Sequence, residues 1–457
     1  MDNEQLHRWD NLIGMTDLFE VREICKDAHP ESLAEFLAQI DLEQASQILS
    51  LLDVPQQAVI FSYLDPEKQL DIAQAFGIHN VANFVAEMDA DERVDFIKSL
   101  PETIREALLP IIARTEREDI LRLAAYDEGT AGSVMTSDYV TLFPELTAAQ
   151  ALNKIRLEAP DKETIYYSYV ISPSRQLMGM ISLKDLILAH PDTTVEHLMQ
   201  DDVITVLADE DREKAARIID KYDLLALPVI NERQELLGII TYDDALEIIQ
   251  EEQTEDMSRF MAIAGDHNAD YLKTSSWIHF KNRIGWVAGL AIVSLFSGLV
   301  LQYYENVMRQ FFILALYIPM LTNSGGITGS QAATVIVRAL ALHDLTVKDS
   351  AKILFKELSI SLMISFVLIG IVFVKIMFLS QGTDVPDDFS LSLIATAVML
   401  ALAIQVITST LIGTALPLIA QRFKVDPAVI ASPGLMTLVD ITGLLIYFIT
   451  ARAILGI

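Results

Sequence analysis

Residues 435–457 read LMTLVDITGLLIYFITARAILGI. The run is long and apolar enough to cross a hydrocarbon core of about 30 Å, yet it carries Asp440 near its start. A carboxylate at that depth costs about 2.5–3.5 kcal/mol on insertion scales, so an ionisable group inside a span points first to function. A structural Asp paired with a Ser or Thr is the plainer alternative. Ser432, Pro433 and Gly434 stand just before it.

Four similar runs precede this one, at about 284–303, 311–341, 354–379 and 389–420, and the last extends over about 428–455. The second and fourth exceed the minimum length, so they tilt, break or run on beyond the bilayer. The second contains PMLTNSGGITGSQAATVIVRAL. Its Pro319, Gly325, Gly326 and Gly329 are expected to break helix regularity, which at membrane depth requires burial by protein or a wetted cavity. Ordinary close packing through small residues is the alternative. Arg338, Lys348, Lys352 and Lys356 lie between spans two and three, Arg422 and Lys424 between four and five, and Lys273, Lys281 and Arg283 before the first. The connection QGTDVPDD between three and four is acidic. Basic loops stay inside, so the soluble half is expected in the cytoplasm and the C-terminus outside a plasma (inner) membrane.

The 457-residue chain is 52% hydrophobic, with a formal net charge of −30. Residues 271–457 carry 12 Lys and Arg against 9 Asp and Glu, which leaves 21 against 54 in the first 270. This is a soluble acidic half fused to a membrane half. The acidic field repels phosphate backbones and attracts cations, which excludes nucleic acid as a partner; a merely solubilising surface is the plain alternative. Cys25 is the sole cysteine, so no disulfide framework forms within the chain and a reducing compartment fits. The opening MDNEQLHRWD has no basic segment followed by an apolar core, and no signal peptide is expected.

The first hundred residues repeat. Ile40, Leu52, Leu64, Phe76, Met88 and Leu100 recur every 12 residues, as do Phe36, Ile48, Ile60, Ile72, Phe84 and Phe96, and Leu37, Leu49, Phe61, Ala73, Val85 and Ile97. A breaker or cap follows each unit: Asp41, Asp53, Asp65, Gly77, Asp89, Pro101. The i, i+1, i+4 spacing marks one helical face and the next residue stops or caps a helix. The reading is a small solenoid of helices of roughly two turns.

Residues 134–249 repeat differently. QLMGMISLKDLI (176–187) matches ELLGIITYDDAL (235–246), each preceded by a related leader, a helical stretch and a β-rich run. That is β-α-β-β-α, twice, and it resembles a tandem pair of CBS domains. The repeated Gly-φ-φ-Ser/Thr-x-x-Asp pattern is Gly179, Ser182, Asp185 and Gly238, Thr241, Asp244. In that family the hydroxyl and the Asp hold an adenosyl ribose; the same residues also serve as plain helix caps. The connector DDALEIIQEEQTED follows, with Asp244, Glu247, Glu251 and Glu255 on one face and Glu252 and Asp256 beside it. Like charges at this spacing oppose one another, and carboxylate oxygens are the ligands Mg²⁺ and Ca²⁺ prefer. A solvated acidic connector is the alternative.

Together, NSGGITGSQAAT…VRALA in span two and DPA…SP…TLVDITGLLIY in span five, in this architecture, resemble the MgtE family of magnesium channels over essentially the whole chain. The resemblance implies a multi-domain fold: an all-α helical-repeat N-domain (1–130), CBS α/β domains at 131–193 and 194–249, an acidic connecting plug helix (250–275) and a five-helix transmembrane domain (276–457). It implies a homodimer in a lipid bilayer, with Asp440 meeting a hydrated Mg²⁺ on the dimer axis and Gly325, Gly326, Gly329, Gln331, Ser432 and Pro433 lining the pore. It implies regulatory Mg²⁺ at Asp223, Asp244, Glu247, Glu252, Glu255 and Asp256, which closes the gate when the ion is plentiful. Some members also bind ATP in the CBS cleft; the matching positions are Tyr167, Lys184 and Asp185, with Ser182 and Thr241 as the motif hydroxyls.

The chain departs from the family pattern in three places. Ile327 and Ser432 stand where Asn is usual, and His79 and Asn83 stand where the N-domain acids are sought, which look absent. A channel or carrier for Mn²⁺ or Co²⁺, and a non-transporting membrane-anchored nucleotide sensor, are the competing readings. No nucleophile–base pair or phosphate loop suggests an enzyme, and His343 reads as a helix-end residue.

Overall fold

The computed structural model describes residues 18–265, 271–272, 274–341, 349–379, 389–423, 425–427 and 433–456. Ser432, His343, Lys273, Lys348, Lys424 and the acidic connection at 381–388 lie outside the described residues, as does the side chain of Pro433. The chain divides into two compact units, Met1–Gln250 and Glu251–Ile457.

The first unit opens with short helices: α1 (Leu18–Lys26), α2 (Pro30–Gln39), α3 (Leu42–Ser50), α4 (Val54–Ser62), α5 (Pro66–Phe76), α6 (Ile78–Ala86), α7 (Ala90–Ser99), α8 (Glu102–Leu108) and α9 (Arg114–Leu123). The 12-residue repeat sets this rhythm. From α2 to α7 each helix packs on the next but one, because one turn of the solenoid takes two repeats. The repeat columns are its core: Phe61 meets Phe84 at 4.6 Å and Phe96 at 5.0 Å between ring centroids. Asp41, Asp53 and Asp65 each accept from a backbone N–H three residues on, at 2.9, 3.2 and 2.9 Å, a cap worth about 1 kcal/mol. Gly77, at φ +76°, fills the same place by backbone freedom. Asp89 occupies the equivalent position before α7 but makes no such cap.

The CBS pair follows. β1 (Val140–Leu142), α10 (Ala148–Glu158), β2 (Tyr167–Ile171), β3 (Leu177–Ser182) and α11 (Leu183–Leu188) form the first repeat, and the short α12 (Val195–Leu198) leads into the second. The second holds β4 (Val206–Leu207), α13 (Arg212–Tyr222), β5 (Ala226–Ile230), β6 (Leu236–Thr241) and α14 (Tyr242–Phe260). Both sheets have one topology: the first strand pairs parallel with the second, the second antiparallel with the third. The register slips at Val170/Ile171 and again at Val229/Ile230. Each repeat also lends its leader to the other's last strand, through the bridges Thr136–Ile239 and Met180–Gln200. This is why the shared motif needs glycine. A Cβ on Gly238 would lie 2.7 Å from the Thr136 carbonyl, and one on Gly179 2.8 Å from that of Gln200. One continuous apolar core runs from the solenoid into the second repeat.

α14 shows no break at 249/250: the connecting helix begins at Tyr242, inside the second repeat, and runs to Phe260.

Among its described residues, the second unit holds five helices long and apolar enough to cross a membrane. They are α15 (Ser276–Tyr303), α18 (Ile318–Ala341), α19 (Ser350–Val374), α20 (Leu391–Arg422) and α21 (Pro433–Leu455), with the short α16 (Glu305–Gln310) and α17 (Phe312–Ala315) ahead of α18. α20 is central and packs on α18, α19 and α21. α15 buries none of its residues and rests against α21. The second span is interrupted at 316–317, just ahead of Pro319, but not at the glycines: α18 is continuous from Ile318 through Gly325, Gly326 and Gly329. Pro319 falls in the first turn, where its missing N–H has no intrahelical partner to lose. The glycines serve approach instead. A Cβ on Gly413 of α20 would come within 2.1 Å of the Gly329 carbonyl of α18. Gly413→Ala is therefore expected to cost about 1–3 kcal/mol of stability through overpacking, seen as a melting temperature lowered by several degrees in detergent. An unchanged melt would mean that the helices part more easily than their spacing implies.

Candidate functional site

Asp440 lies on α21, about two turns in from Pro433. The turn that carries it is held by a polar knot. Gln405 of α20 is fully buried and its Nε2 donates to the carbonyl of Val439 at 3.0 Å. It threads between Gly325 of α18 and Gly443 of α21, and a Cβ on either glycine would lie 2.4 Å from that nitrogen. Ala333, Leu435 and Val439 form an apolar seal beside it. Asp440 itself is half-buried and makes no hydrogen bond or ion pair among the described residues. Of the other pore-lining candidates, Gly325, Gly326 and Gly329 are buried in helix contacts, and Gln331 is exposed and borders a cavity. Ile327 is exposed on the same helix.

The soluble unit gathers a second set of acids. Glu163, Asp243 and Asp244 place carboxylate oxygens within 4.8 Å of one another. α14 begins at this point, and Thr241 Oγ1 donates to Asp244 Oδ2 at 2.6 Å. The N-terminal turn of α7 brings Asp89, Asp91 and Glu92 against the same place. Burial, with Glu247, Asp95, Asp244 and Asp89 adding repulsion, pushes Glu92 up to about 7. Burial and then Asp244 push Glu163 up to about 8. Asp91 is held well above the usual carboxylate range by burial and then by Asp244 and Glu163. Asp89, Asp138 and Asp244 are raised as well, burial first in each. Lys162 approaches Asp138 at 3.5 Å. Arg93 is committed to the carbonyls of Val85, Ala86 and Met88.

The N-domain acids that looked absent beside His79 and Asn83 are thus present one helix later. Asp89, Asp91, Glu92, Glu163 and Asp243 were not among the expected ligands. The available signal was the run DADER at 89–93, where earlier repeats hold a single capping Asp. The cluster fits a hard divalent cation on two counts. Its donors are all oxygens, and Asp91 Oδ1 and Glu163 Oε2 are buried without a hydrogen-bond partner.

The expected regulatory residues divide. Asp244 belongs to the cluster and Glu247 borders it through Glu92. Asp223 is the left-handed C-cap of α13, at φ +51°, and exposed. Further along α14, Arg259 donates to Glu255 and also reaches Asp426 at 3.1 Å. Glu255 is therefore engaged with a cation of the chain itself. Glu252 and Asp256 lie on the same stretch of α14.

The nucleotide candidates also divide. Tyr167 pairs across the strands with Ser182. Ser182 caps α11 and donates to Asp185 at 2.6 Å, beside exposed Lys184. Thr241 holds the matching place in the second repeat, where it is spent on the carboxylate cluster.

Five apolar helices, a buried polar knot under an intramembrane carboxylate, and an oxygen-only acidic cluster define a cation-handling membrane protein. Comparisons with known proteins agree with that class. The description "Divalent cation transporter" matches residues 318–450, "MgtE intracellular N domain" residues 28–129, and "CBS domain" residues 131–192 and 195–251. The chain is 37% identical to the magnesium transporter MgtE of Thermus thermophilus over 74% of its own length and 73% of the relative's. It is 32% identical to that of Bacillus subtilis over 85% and 83%. A crystal structure of the soluble part of a magnesium transporter superposes with a TM-score of 0.52 at 30% identity, over 55% of this chain and 98% of that one. The cytosolic domain of the Mg²⁺ channel MgtE in complex with ATP gives 0.50 at 32%, over 52% and 98%. The chain belongs to the MgtE family of magnesium transporters.

Proposed function

We propose that this chain is a Mg²⁺ channel that its own cytoplasmic half closes when Mg²⁺ is plentiful. The observation that carries the gating is the cluster of Asp91, Glu92, Glu163 and Asp244, which joins the solenoid to the CBS pair at the root of α14. Without a cation these carboxylates repel and must take up protons to stay together. With Mg²⁺ the repulsion becomes shared attraction, so the ion binds the closed arrangement better and shifts the population toward it. α14 then transmits the state: it begins at the cluster, and Arg259 in its last turn is tied to Asp426.

In the membrane, two Asp440 carboxylates of a homodimer face one hydrated ion. Mg²⁺ dehydrates reluctantly, and a site that attracts without stripping the water shell lets the ion leave again. Gln405 keeps the Asp440 turn fixed by holding the Val439 carbonyl. ATP, by analogy with the relative solved with it, occupies the Tyr167, Ser182, Lys184 and Asp185 end of the first repeat. Ile327 and Ser432, each in place of Asn, favour Mn²⁺ or Co²⁺ as a competing substrate.

The gating test is flux into liposomes holding a Mg²⁺-sensitive dye, with millimolar Mg²⁺ on the side of the soluble half. Wild type is expected to close in millimolar Mg²⁺ and to open in chelator, whereas Asp91→Asn with Glu163→Gln, which removes the repulsion as protonation does, is expected to stay closed in both. A variant that opens in chelator as wild type does would remove the cluster from the gate. A Mn²⁺ flux above the Mg²⁺ flux would favour the competing substrate.

A further inference from the structure

The transmembrane half holds a second carboxylate that the pore reading leaves unused. Glu357 lies on α19, about two turns from its start, and is only 9% exposed. It makes no hydrogen bond or salt bridge among the described residues. It borders a cavity of about 620 Å³ together with Ser330, Gln331, Thr334 and Thr410. Met436 of α21 closes another side, one helical turn before Asp440 and on the same face.

The cavity has a mixed wall: Ile327, Ala332, Val335, Ile360 and Ile364 are apolar, and the acceptors are confined to the side chains beside Glu357. Thr334 Oγ1 donates to the carbonyl of Ser330 and Thr410 Oγ1 to that of Val406, each at 2.8 Å. With their protons spent on their own helices, both hydroxyls have only lone pairs left to offer. Gln331 adds an amide oxygen. Glu357 has neutral oxygens on one side of the cavity and apolar side chains on the other, and the nearest named cation, Lys356, is exposed and makes no salt bridge with it among the described residues, so a carboxylate at this place favours a positive partner in the cavity. Size selects among partners. Mg²⁺ keeps several waters and takes one or two carboxylates. Six waters at about 30 Å³ each fill about 180 Å³, which the cavity accommodates with room for exchange.

We propose that Glu357, with Thr334, Gln331, Ser330 and Thr410, forms a second binding site for a hydrated divalent cation between α18, α19 and α20, apart from Asp440. The site rests on the reading that the chain passes such cations, and it serves as a lateral holding place beside the Asp440 face. The ion is bound through its waters by the carboxylate and leaves intact.

The test uses the full chain in liposomes with Val335→Cys, a cavity-lining position that supplies no ligand. The native Cys25 is buried, and burial pushes its thiol up to about 11, so a charged thiol reagent reports on the introduced cysteine. At Mg²⁺ about ten times its dissociation constant, labelling slows about tenfold, because about nine-tenths of the sites are filled. Adding Glu357→Gln abolishes this protection, and Glu357→Asp, which keeps the charge, retains part of it. Protection that is absent, or unchanged in Glu357→Gln and Glu357→Asp alike, overturns the proposal. Labelling does not depend on flux. Flux without protection would reject this site and leave transport standing; protection without flux would reject transport and leave the site.

Discussion

Asp440→Ala is expected to reduce Mg²⁺ influx into liposomes by about a hundredfold, and Asp440→Asn by nearly as much. A unit charge about 4 Å from a cation contributes several kcal/mol even at an effective dielectric constant near 20. Losing about 3 kcal/mol of that is about a hundredfold in occupancy. The Asn variant separates charge from shape. It keeps the volume and an acceptor oxygen, so retained flux in Asp440→Asn would make the residue a steric element rather than an electrostatic one. Equal leak in wild type and Asp440→Ala would place the pathway elsewhere in the bundle.

The second large effect is a pH dependence that Mg²⁺ removes. Glu92 and Glu163 are raised from ordinary values of 4.5 to about 7 and about 8 in the docked arrangement. A raised carboxyl favours docking fully below its ordinary value and loses that contribution as pH climbs through the raised one. In chelator, the protection factors of the α7 amides, which remove the intrinsic base catalysis of exchange, are therefore expected to be high near pH 5 and to fall between pH 5 and pH 8. For Glu92 alone the shift corresponds to on the order of 3 kcal/mol, or about a hundredfold in the docked-to-open ratio. Millimolar Mg²⁺ restores protection at pH 8 and adds little at pH 5, where protons already neutralise the acids. Protection factors that ignore pH, or Mg²⁺ that protects equally at both pH values, would contradict the cluster as the docking switch.

The contrast between α5 and α7 shows what could be read from the residues. Asp65 and Asp89 occupy equivalent places in the repeat, and the spacing alone predicts a cap at both. Asp65 caps α5, whereas Asp89 is pushed up by burial and by Asp138. The repeat is local; the identity of what faces it belongs to a chain segment some fifty residues on. The same holds for the small residues of α18. Glycine within a helix breaks it in some settings and permits close approach in others, and Gly413 of α20 decided which. Thr241 and Ser182 are one motif position in two repeats and both donate to the Asp three residues on, yet Asp244 meets Glu163 while Asp185 sits beside Lys184. Glu357 gave no signal, because a single acid near a span end resembles an interfacial residue until its surroundings are known.

From its amino acids alone this protein is a solenoid, a CBS pair and five spans, with a carboxylate at Asp440 that needs a reason. Those features follow from periodicity, from the length of apolar runs and from the cost of charge in lipid, which are properties of neighbouring residues. Which acids meet was decided only by the tertiary structure. Coulomb repulsion and desolvation depend on distances between segments, and these brought Asp91 and Glu92 to Glu163 and Asp244, tied Arg259 to Asp426, and placed Glu357 in a cavity of its own.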